Sequence, residues 1–222
     1  MNIRIFAVAV AVLTASCTGA QPAAAPPPTT SSTAPPSPAD LDLRAKKALA
    51  PAGAFDALGG RVERNYPGDD SEPGYEQEIV RTACGSHDLR VDSGTSVSRS
   101  RAWAGGVDLF ERVHAMSDLP AAVLLTTVQR WSRLCTSYSP GGVSPLRTVV
   151  PDVSLVRPEG VDESYAYCEA NNDPALVPWS CHAVLARGTL LATVTASGRS
   201  QDAALAQLTS VVPIFAESLA KG

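Results

Sequence analysis

Apolar and polar residues alternate along two neighbouring stretches in the middle of the chain, residues 96–105 and 107–116. In the first stretch Val97 and Trp103 fall on the same face, with serine or alanine on the other face. Strict alternation is typical of a half-buried strand, because successive side chains point to opposite sides of a sheet. The Gly-Gly pair at 105–106 favours a tight turn between the stretches. The pattern therefore predicts a β-hairpin.

Two other stretches place apolar residues at helical spacing. The apolar positions are Leu124, Val128, Trp131 and Cys135 in the first helix and Leu205, Leu208, Val212, Phe215 and Leu219 in the second. Pro120 suits the first turn of the first helix, and Ser200 is a candidate N-cap of the second. Pro213 lies inside the second pattern, so we expect it to kink or divide that helix. A further, broken helix is expected in residues 41–58, with Asp40 as its cap.

Four more apolar stretches predict strands, at residues 148–156, 164–170, 181–186 and 189–196. An Arg-Gly pair at 187–188 suits a hairpin turn between the last two. Strands joined by hairpins, with two amphipathic helices between and after them, bury their apolar stripes most simply against one antiparallel sheet. The predicted fold class is α+β, an antiparallel β-sheet with two main amphipathic helices packed on one face and two disulfides.

The N-terminus carries an export pattern. Arg4 precedes an apolar run at residues 5–13, which is too short for a membrane span of about 20 residues. The residues before Cys17 resemble a bacterial lipoprotein box, which implies a signal peptide over residues 1–16 and acylation of Cys17. The alternative is an ordinary signal peptide that contains a cysteine. Two or three acyl chains would anchor the protein durably to the cell membrane, on its extracytoplasmic side.

Residues 17–40 form the lipidated cysteine and a tether rich in Pro, Ser, Thr and Ala. The segment contains no aromatic or large aliphatic residue, so we expect it to be disordered. It is also a candidate for O-glycosylation. Residues 41–222 are expected to form one domain. The formal net charge of the chain is −4. With no cluster of Lys or Arg, nucleic acid is not an expected partner.

Four cysteines follow Cys17, namely Cys84, Cys135, Cys168 and Cys181. An even number in an exported chain indicates two disulfides, for which three connectivities are possible. The turn-rich loop between Cys168 and Cys181 favours their pairing, which leaves Cys84 with Cys135. The spacings fit no zinc pattern and no CxxC is present, so neither a metal site nor a redox pair is expected.

Few residues suggest chemistry. His114 and His182 are candidate general bases, and Trp103 and His114 are weak candidates for contact with a ligand or partner. The alternative for each is a structural position in a strand or in the core. The chain has no GxSxG, SxxK, GxGxxG or P-loop motif, so we predict no catalytic residues and no cofactor. Three carboxylates, Asp69, Asp70 and Glu72, lack the spacing of a calcium loop.

The stretch VQRWSRLC at 128–135, the W-x-C at 179–181, the following apolar hairpin and the terminal helix together resemble a known family. It is the exported sensor-type domain of actinobacterial membrane Ser/Thr kinases of the PknH type, which also occurs on stand-alone lipoproteins. The resemblance covers roughly residues 84–219. It implies an antiparallel sheet with two main helices and two disulfides, at the cysteine positions named above. An asparagine pair often follows W-x-C in the family, whereas here Asn171 and Asn172 precede it.

Three hypotheses of function follow. The first is a membrane-anchored, extracytoplasmic, sensor-like domain that binds an unknown envelope small molecule or protein without catalysis. The second is an interaction or assembly lipoprotein of the cell envelope that uses a surface and no small ligand. The third, and weakest, is a cell-wall hydrolase, which would require a histidine near a serine and a carboxylate inside a pocket.

Overall fold

The structure is a computed structural model that describes residues 35–63, 96–139, 146–172 and 177–222. Its described helices are α1 (Pro38–Ala48), α2 (Ala121–Leu134) and α3 (Gln201–Leu219), with a short 3-10 helix at Asp56–Leu58. The eight described strands are β1 (Gly60–Val62), β2 (Ser96–Gly105), β3 (Leu109–Met116), β4 (Ser137–Tyr138), β5 (Arg147–Val150), β6 (Glu163–Asn171), β7 (Trp179–Arg187) and β8 (Leu190–Gly198). Within these ranges no helix is long and apolar enough to cross a membrane.

The strands form one antiparallel sheet in the order β1-β2-β3-β8-β7-β6-β5-β4. The predicted α+β class with an antiparallel sheet is confirmed. Both predicted hairpins form, and Gly188 has a φ of 53° in the turn between β7 and β8, a conformation that glycine adopts at little cost. At Gly106 a Cβ atom would overlap the carbonyl oxygen of Leu58, so the turn after β2 requires glycine there.

The two faces of the sheet carry different helices. On the face that we call the α3 face, odd-numbered residues of β7 such as Ala183 and Leu185 are buried against α1 and α3. On the opposite face, called the α2 face, Val184 and Ala186 of the same strand are buried against α2. The helices therefore lie on both sides of the sheet in three layers.

The prediction that both main helices pack on one face is therefore wrong. The amphipathic stripe of a helix gives the side that it buries, but not the face of the sheet that it meets. Strand β7 is buried on both faces over Ala183–Ala186, which requires a cover on each side. The run CHAVLA at 181–186 is nearly continuous in apolar residues, and this was the available sign of burial on both sides.

The first helix begins earlier than the sequence suggests. Helix α1 starts at Pro38, and Ser37 is its N-cap, with its hydroxyl accepting from the backbone N–H of Asp40. Asp40, predicted as the cap, instead completes a capping box by accepting from the N–H of Ser37. The folded unit that contains this helix extends over Pro35–Gly222. The last residues of the predicted tether are thus helical.

One strand is shorter than predicted, and of the two outcomes predicted at Pro213 the division of the helix does not occur. The strand expected at 148–156 is only Arg147–Val150, because Pro151 lacks a backbone donor and Asp152 has a φ of 54°. Helix α3 is not divided at Pro213, which lies exposed inside one continuous helix.

The disulfide predicted between Cys168 and Cys181 is confirmed, and it joins directly opposite residues of β6 and β7. Cys84 lies outside the described part of the chain, and its pairing with Cys135 stays a prediction. Cys17, the tether over residues 18–34 and the carboxylates at 69–72 lie outside it too.

Candidate functional site

The α2 face of the sheet has an apolar end and a polar end. Helix α2 covers the apolar end, where Leu124 and Val128 pack near Tyr165, Val184 and Leu191. Further along the same strands, the face carries a polar group that we call the Glu169 cluster. It consists of Tyr138, Arg147, Tyr167, Glu169, His182 and Thr195.

Strand register assembles this cluster from five strands. Tyr167 on β6, His182 on β7 and Thr195 on β8 lie directly opposite one another across the sheet. Glu169 follows Tyr167 by two residues and therefore points to the same face. Arg147 on β5 and Tyr138 on β4 are paired opposite each other at the sheet edge beside it.

Glu169 is the buried centre of the cluster, with its side chain 3% exposed. Its Oε1 accepts from the hydroxyl of Tyr138 at 2.8 Å, and its Oε2 accepts from Nη1 of Arg147 at 3.1 Å. The ring nitrogen Nε2 of His182 is 3.6 Å from Oε2, which is too long for a hydrogen bond. Both oxygens of the carboxylate are thus engaged by neighbouring strands.

These contacts determine the titration of the carboxyl group. Burial alone would raise the pKa of Glu169, but His182, Tyr138 and Arg147 together outweigh burial and lower the pKa to about 2. Tyr138 and Arg147 are the two groups within hydrogen-bond distance, so we assign most of the lowering to them. Glu169 is therefore ionised at neutral pH, and burial together with its negative charge raises the pKa of Tyr138.

An aromatic stack supports the histidine. The rings of His182 and Tyr167 are stacked with centroids 4.7 Å apart, and Tyr167 is stacked in turn on Tyr165. Nδ1 of His182 is 3.0 Å from the hydroxyl of Thr195. The stack and the contact with Thr195 together fix the orientation of the imidazole ring.

This arrangement approaches the condition set for the hydrolase hypothesis without meeting it. His182 has a hydroxyl and a carboxylate nearby, but the hydroxyl belongs to Thr195 and the carboxylate is 3.6 Å away. Glu169 is already bonded to Tyr138 and Arg147, so it does not hold the histidine ring as a catalytic triad would. The groups present are suited to holding charge, not to attacking a substrate.

The two weak candidates from the sequence lie elsewhere. Trp103 is 1% exposed in the core, where its ring packs edge-on against Phe55 and its indole N–H donates to the carbonyl of Ala52. His114 is 2% exposed on the α2 face of β3, and burial, followed by the charge of Arg112, lowers its pKa to about 3. Neither position supports the predicted contact with a ligand or partner.

Sequence reasoning named only His182 among the cluster residues. The pattern SYAYCEA at 164–170 places Tyr165, Tyr167 and Glu169 on the face opposite Cys168, so a charged residue continues an otherwise buried stripe. That was the available signal for Glu169. Arg147 and Tyr138 are 22 and 31 residues away from Glu169, and no local pattern indicates their contact with it.

The described ranges contain no group of three or more His, Cys, Asp or Glu residues arranged to hold a metal ion. Comparison of this chain with protein-family models, curated proteins and solved structures finds no match. No catalytic family or catalytic homologue is therefore identified for it.

Proposed function

We propose that this chain is a lipid-anchored extracytoplasmic protein whose folded domain binds an envelope small molecule or protein through the Glu169 cluster, without catalysing a reaction. The observation that carries the proposal is a buried carboxylate, Glu169, that is hydrogen-bonded to Tyr138 and to the partly exposed Arg147 on two neighbouring strands. The export pattern, Cys17 and the resemblance to PknH-type sensor domains support the location and the class.

The cost of the cluster favours a binding role over a purely structural one. Removing a carboxylate from water costs several kcal/mol, and apolar residues of similar volume often stabilise a core as well as a buried ion pair does. A strand that served only the core would gain from an apolar residue in place of Glu169. Perturbed ionisable groups at an open position are instead typical of functional sites.

Access is the second argument. The side chain of Arg147 is 30% exposed and that of His182 is 17% exposed, whereas Glu169 itself is almost inaccessible. A bound molecule would therefore meet Arg147, which Glu169 holds in position, and His182, which contacts Thr195 and Tyr167. Preorganised polar groups of this kind lower the entropy cost of binding.

The same edge offers a feature that favours a protein partner as the bound species. Leu146 and Val177 are 45% and 40% exposed, and hydrogen bonds tie both to the Asn171–Asn172 pair beside Arg147. Exposed apolar residues next to a polar group are typical of the edge of a protein interface. A protein partner could thus contact these residues beside Arg147.

The anchor is tested by localisation. We expect the protein from its own host to sit in the membrane fraction, with acyl groups on an N-terminal Cys17 detected by intact mass. A Cys17→Ser variant should lose both the acyl mass and the membrane association. A wild-type chain that is exported with an unmodified Cys17, or that behaves like the variant, would contradict the anchor.

The binding role is tested by titrating an envelope extract, split into small-molecule and protein fractions, into the isotopically labelled full chain. We expect one fraction to shift the NMR signals of Arg147, His182 and Tyr138. Glu169→Gln should weaken these shifts, and Glu159→Gln, an exposed control, should not. Shifts confined to the α3 face, or no shifts with either fraction, would contradict the proposal.

The second disulfide belongs to the same proposal. Cys84 and Cys135 would add a long closed loop, which stabilises exported domains by restricting the unfolded chain. Mass analysis of peptides from the unreduced protein should find these two cysteines linked. A free thiol at Cys84, or its linkage to another residue, would contradict the pairing.

A further inference from the structure

Arg147 uses only part of its hydrogen-bonding capacity within the cluster. Its contacts with Glu169 at 3.1 Å and with the Tyr138 hydroxyl at 3.5 Å both involve Nη1. Within the described ranges, its Nε and Nη2 groups have no hydrogen-bond partner. These two groups form one edge of the planar guanidinium fork, which matches the two oxygens of a carboxylate or phosphate.

The charges around this edge favour an anion over a cation. Both oxygens of Glu169 are engaged and the side chain is 3% exposed, so a cation has no route to the negative charge. The accessible charged group is the guanidinium, whose free atoms are donors. The contact between Nη1 of Arg147 and Oε2 of Glu169 restrains the guanidinium, which reduces the entropy lost when a ligand binds.

We propose that the Glu169 cluster binds a small oxyanion, a carboxylate or a phosphate group, on the free edge of Arg147. This inference rests on the proposed binding function and names the chemical class of the group recognised. The oxyanion is either a free ion or the charged end of a larger envelope molecule. His182 lies on the same face, 3.6 Å from Oε2 of Glu169, and is not required for the contact with the oxyanion.

The test uses sodium phosphate and sodium acetate, titrated into the full chain at constant ionic strength set with sodium chloride. The readout is the NMR signal of the Arg147 Nε–H group, with binding also measured by calorimetry. We expect saturable binding of one or both anions and a shift of this signal. The anion that binds more tightly identifies the group, and chloride alone should cause no shift.

Variants at Arg147 separate the fork from simple charge. Arg147→Gln removes the charge and Arg147→Lys keeps it without the fork, so each should weaken the anion affinity by at least about tenfold. Arg61→Gln is the matched control, because Arg61 is exposed on β1 at the opposite edge of the sheet. It should bind like the wild type. If Arg147→Gln fails to fold, Arg147→Lys and the wild-type Nε–H signal carry the test.

Several results would overturn the inference. These are no shift of the Arg147 signal with either anion, an equal effect of chloride, or unchanged affinity in both Arg147 variants. An equal loss in Arg61→Gln would indicate nonspecific charge and overturn it too. If neither anion binds while an envelope fraction still shifts the cluster signals, the proposed binding function stands and only the oxyanion assignment fails.

Discussion

Two buried glutamates lie on opposite faces of the sheet and titrate in opposite directions. Glu169 has a pKa lowered to about 2, because Tyr138 and Arg147 donate to it. Glu111, on the α3 face, has a pKa raised to about 8 by burial, against the opposing effects of the Ala50 N–H and the charge of Arg101. The two glutamates therefore change the stability of the protein with pH in opposite directions, because their hydrogen-bond partners and charged neighbours differ.

Glu169→Gln should destabilise the protein at neutral pH by about 2–3 kcal/mol, since it removes a charge that two donors stabilise. The folded-state pKa lies below the ordinary value of 4.5, so this contribution is complete above about pH 4.5. It is lost as the pH falls toward about 2. Urea unfolding of both proteins across this range measures the difference, with Glu159→Gln as an exposed control. If the difference in unfolding free energy between wild type and Glu169→Gln does not decrease in acid, the lowered pKa of Glu169 is wrong.

Glu111→Gln should show the reverse dependence. Because the folded state keeps the proton of Glu111 up to about pH 8, stability is lost as the pH rises from about 4.5 to about 8. Glutamine removes this loss and can still accept from Ala50. We expect the variant to gain about 2–3 kcal/mol relative to wild type between about pH 5.5 and 7.5. Unfolding free energies of the variant and the wild type, measured in matched buffers, give this difference. A difference in stability that stays constant with pH would contradict the raised pKa of Glu111.

At the residue scale, alternation was enough to place side chains on faces but not to find their partners. Val97 and Trp103 share the α3 face as expected from the pattern of β2. The burial and ionisation of Glu169 depend instead on Arg147 and Tyr138, which other strands bring to it. Such contacts follow from the tertiary fold, and no local sequence pattern predicts them.

At the scale of elements, helix α2 shows how the packing direction of a helix is set. Its buried residues are Ala121, Leu124, Leu125, Val128 and Ser132. The predicted stripe matched at Leu124 and Val128 but continued to Trp131 and Cys135, which are only partly buried. The structure buries Ser132 there instead, in hydrogen-bond contact with the hydroxyl of Tyr165. A polar contact thus completes the last turn of the stripe.

A pair of neighbouring substitutions tests this packing. Leu124 is 4% exposed against the α2 face of the sheet, whereas Val123 is 51% exposed. Leu124→Ala should cost about 2–5 kcal/mol of unfolding free energy through lost burial and a cavity. Val123→Ala should change it by less than about 0.5 kcal/mol. Chemical denaturation of both variants gives the comparison, and similar losses in the two would mean that α2 packs differently.

Predictions of the elements from sequence were accurate where the signal was local. The β2–β3 and β7–β8 hairpins and helix α3 follow from turn residues, alternation and an N-cap that act within a few positions. The errors arose where a second local feature competed. Ser37 took the cap from Asp40, and Pro151 with Asp152 ended β5 early.

At the scale of the whole molecule, the arrangement of layers was the part that the sequence did not settle. Amphipathic stripes on α2 and α3 are equally consistent with one shared face or with two opposite faces. In the structure, α3 packs with Ala183 and Leu185 of β7 and α2 with Val184 and Ala186, so the two helices cover opposite faces. Placing α2 opposite α3 leaves the polar end of the α2 face beyond the helix, and this is where the Glu169 cluster lies.

The central claim is that this end of the α2 face holds a molecule in the living cell. The most direct measurement is native mass spectrometry of the full chain, purified without denaturant from its own host, as wild type, Arg147→Gln and Arg61→Gln. We expect an additional bound mass on the wild type and on Arg61→Gln, and its absence from Arg147→Gln. The same additional bound mass on all three proteins would contradict the account. The absence of a bound mass from all three would contradict it too.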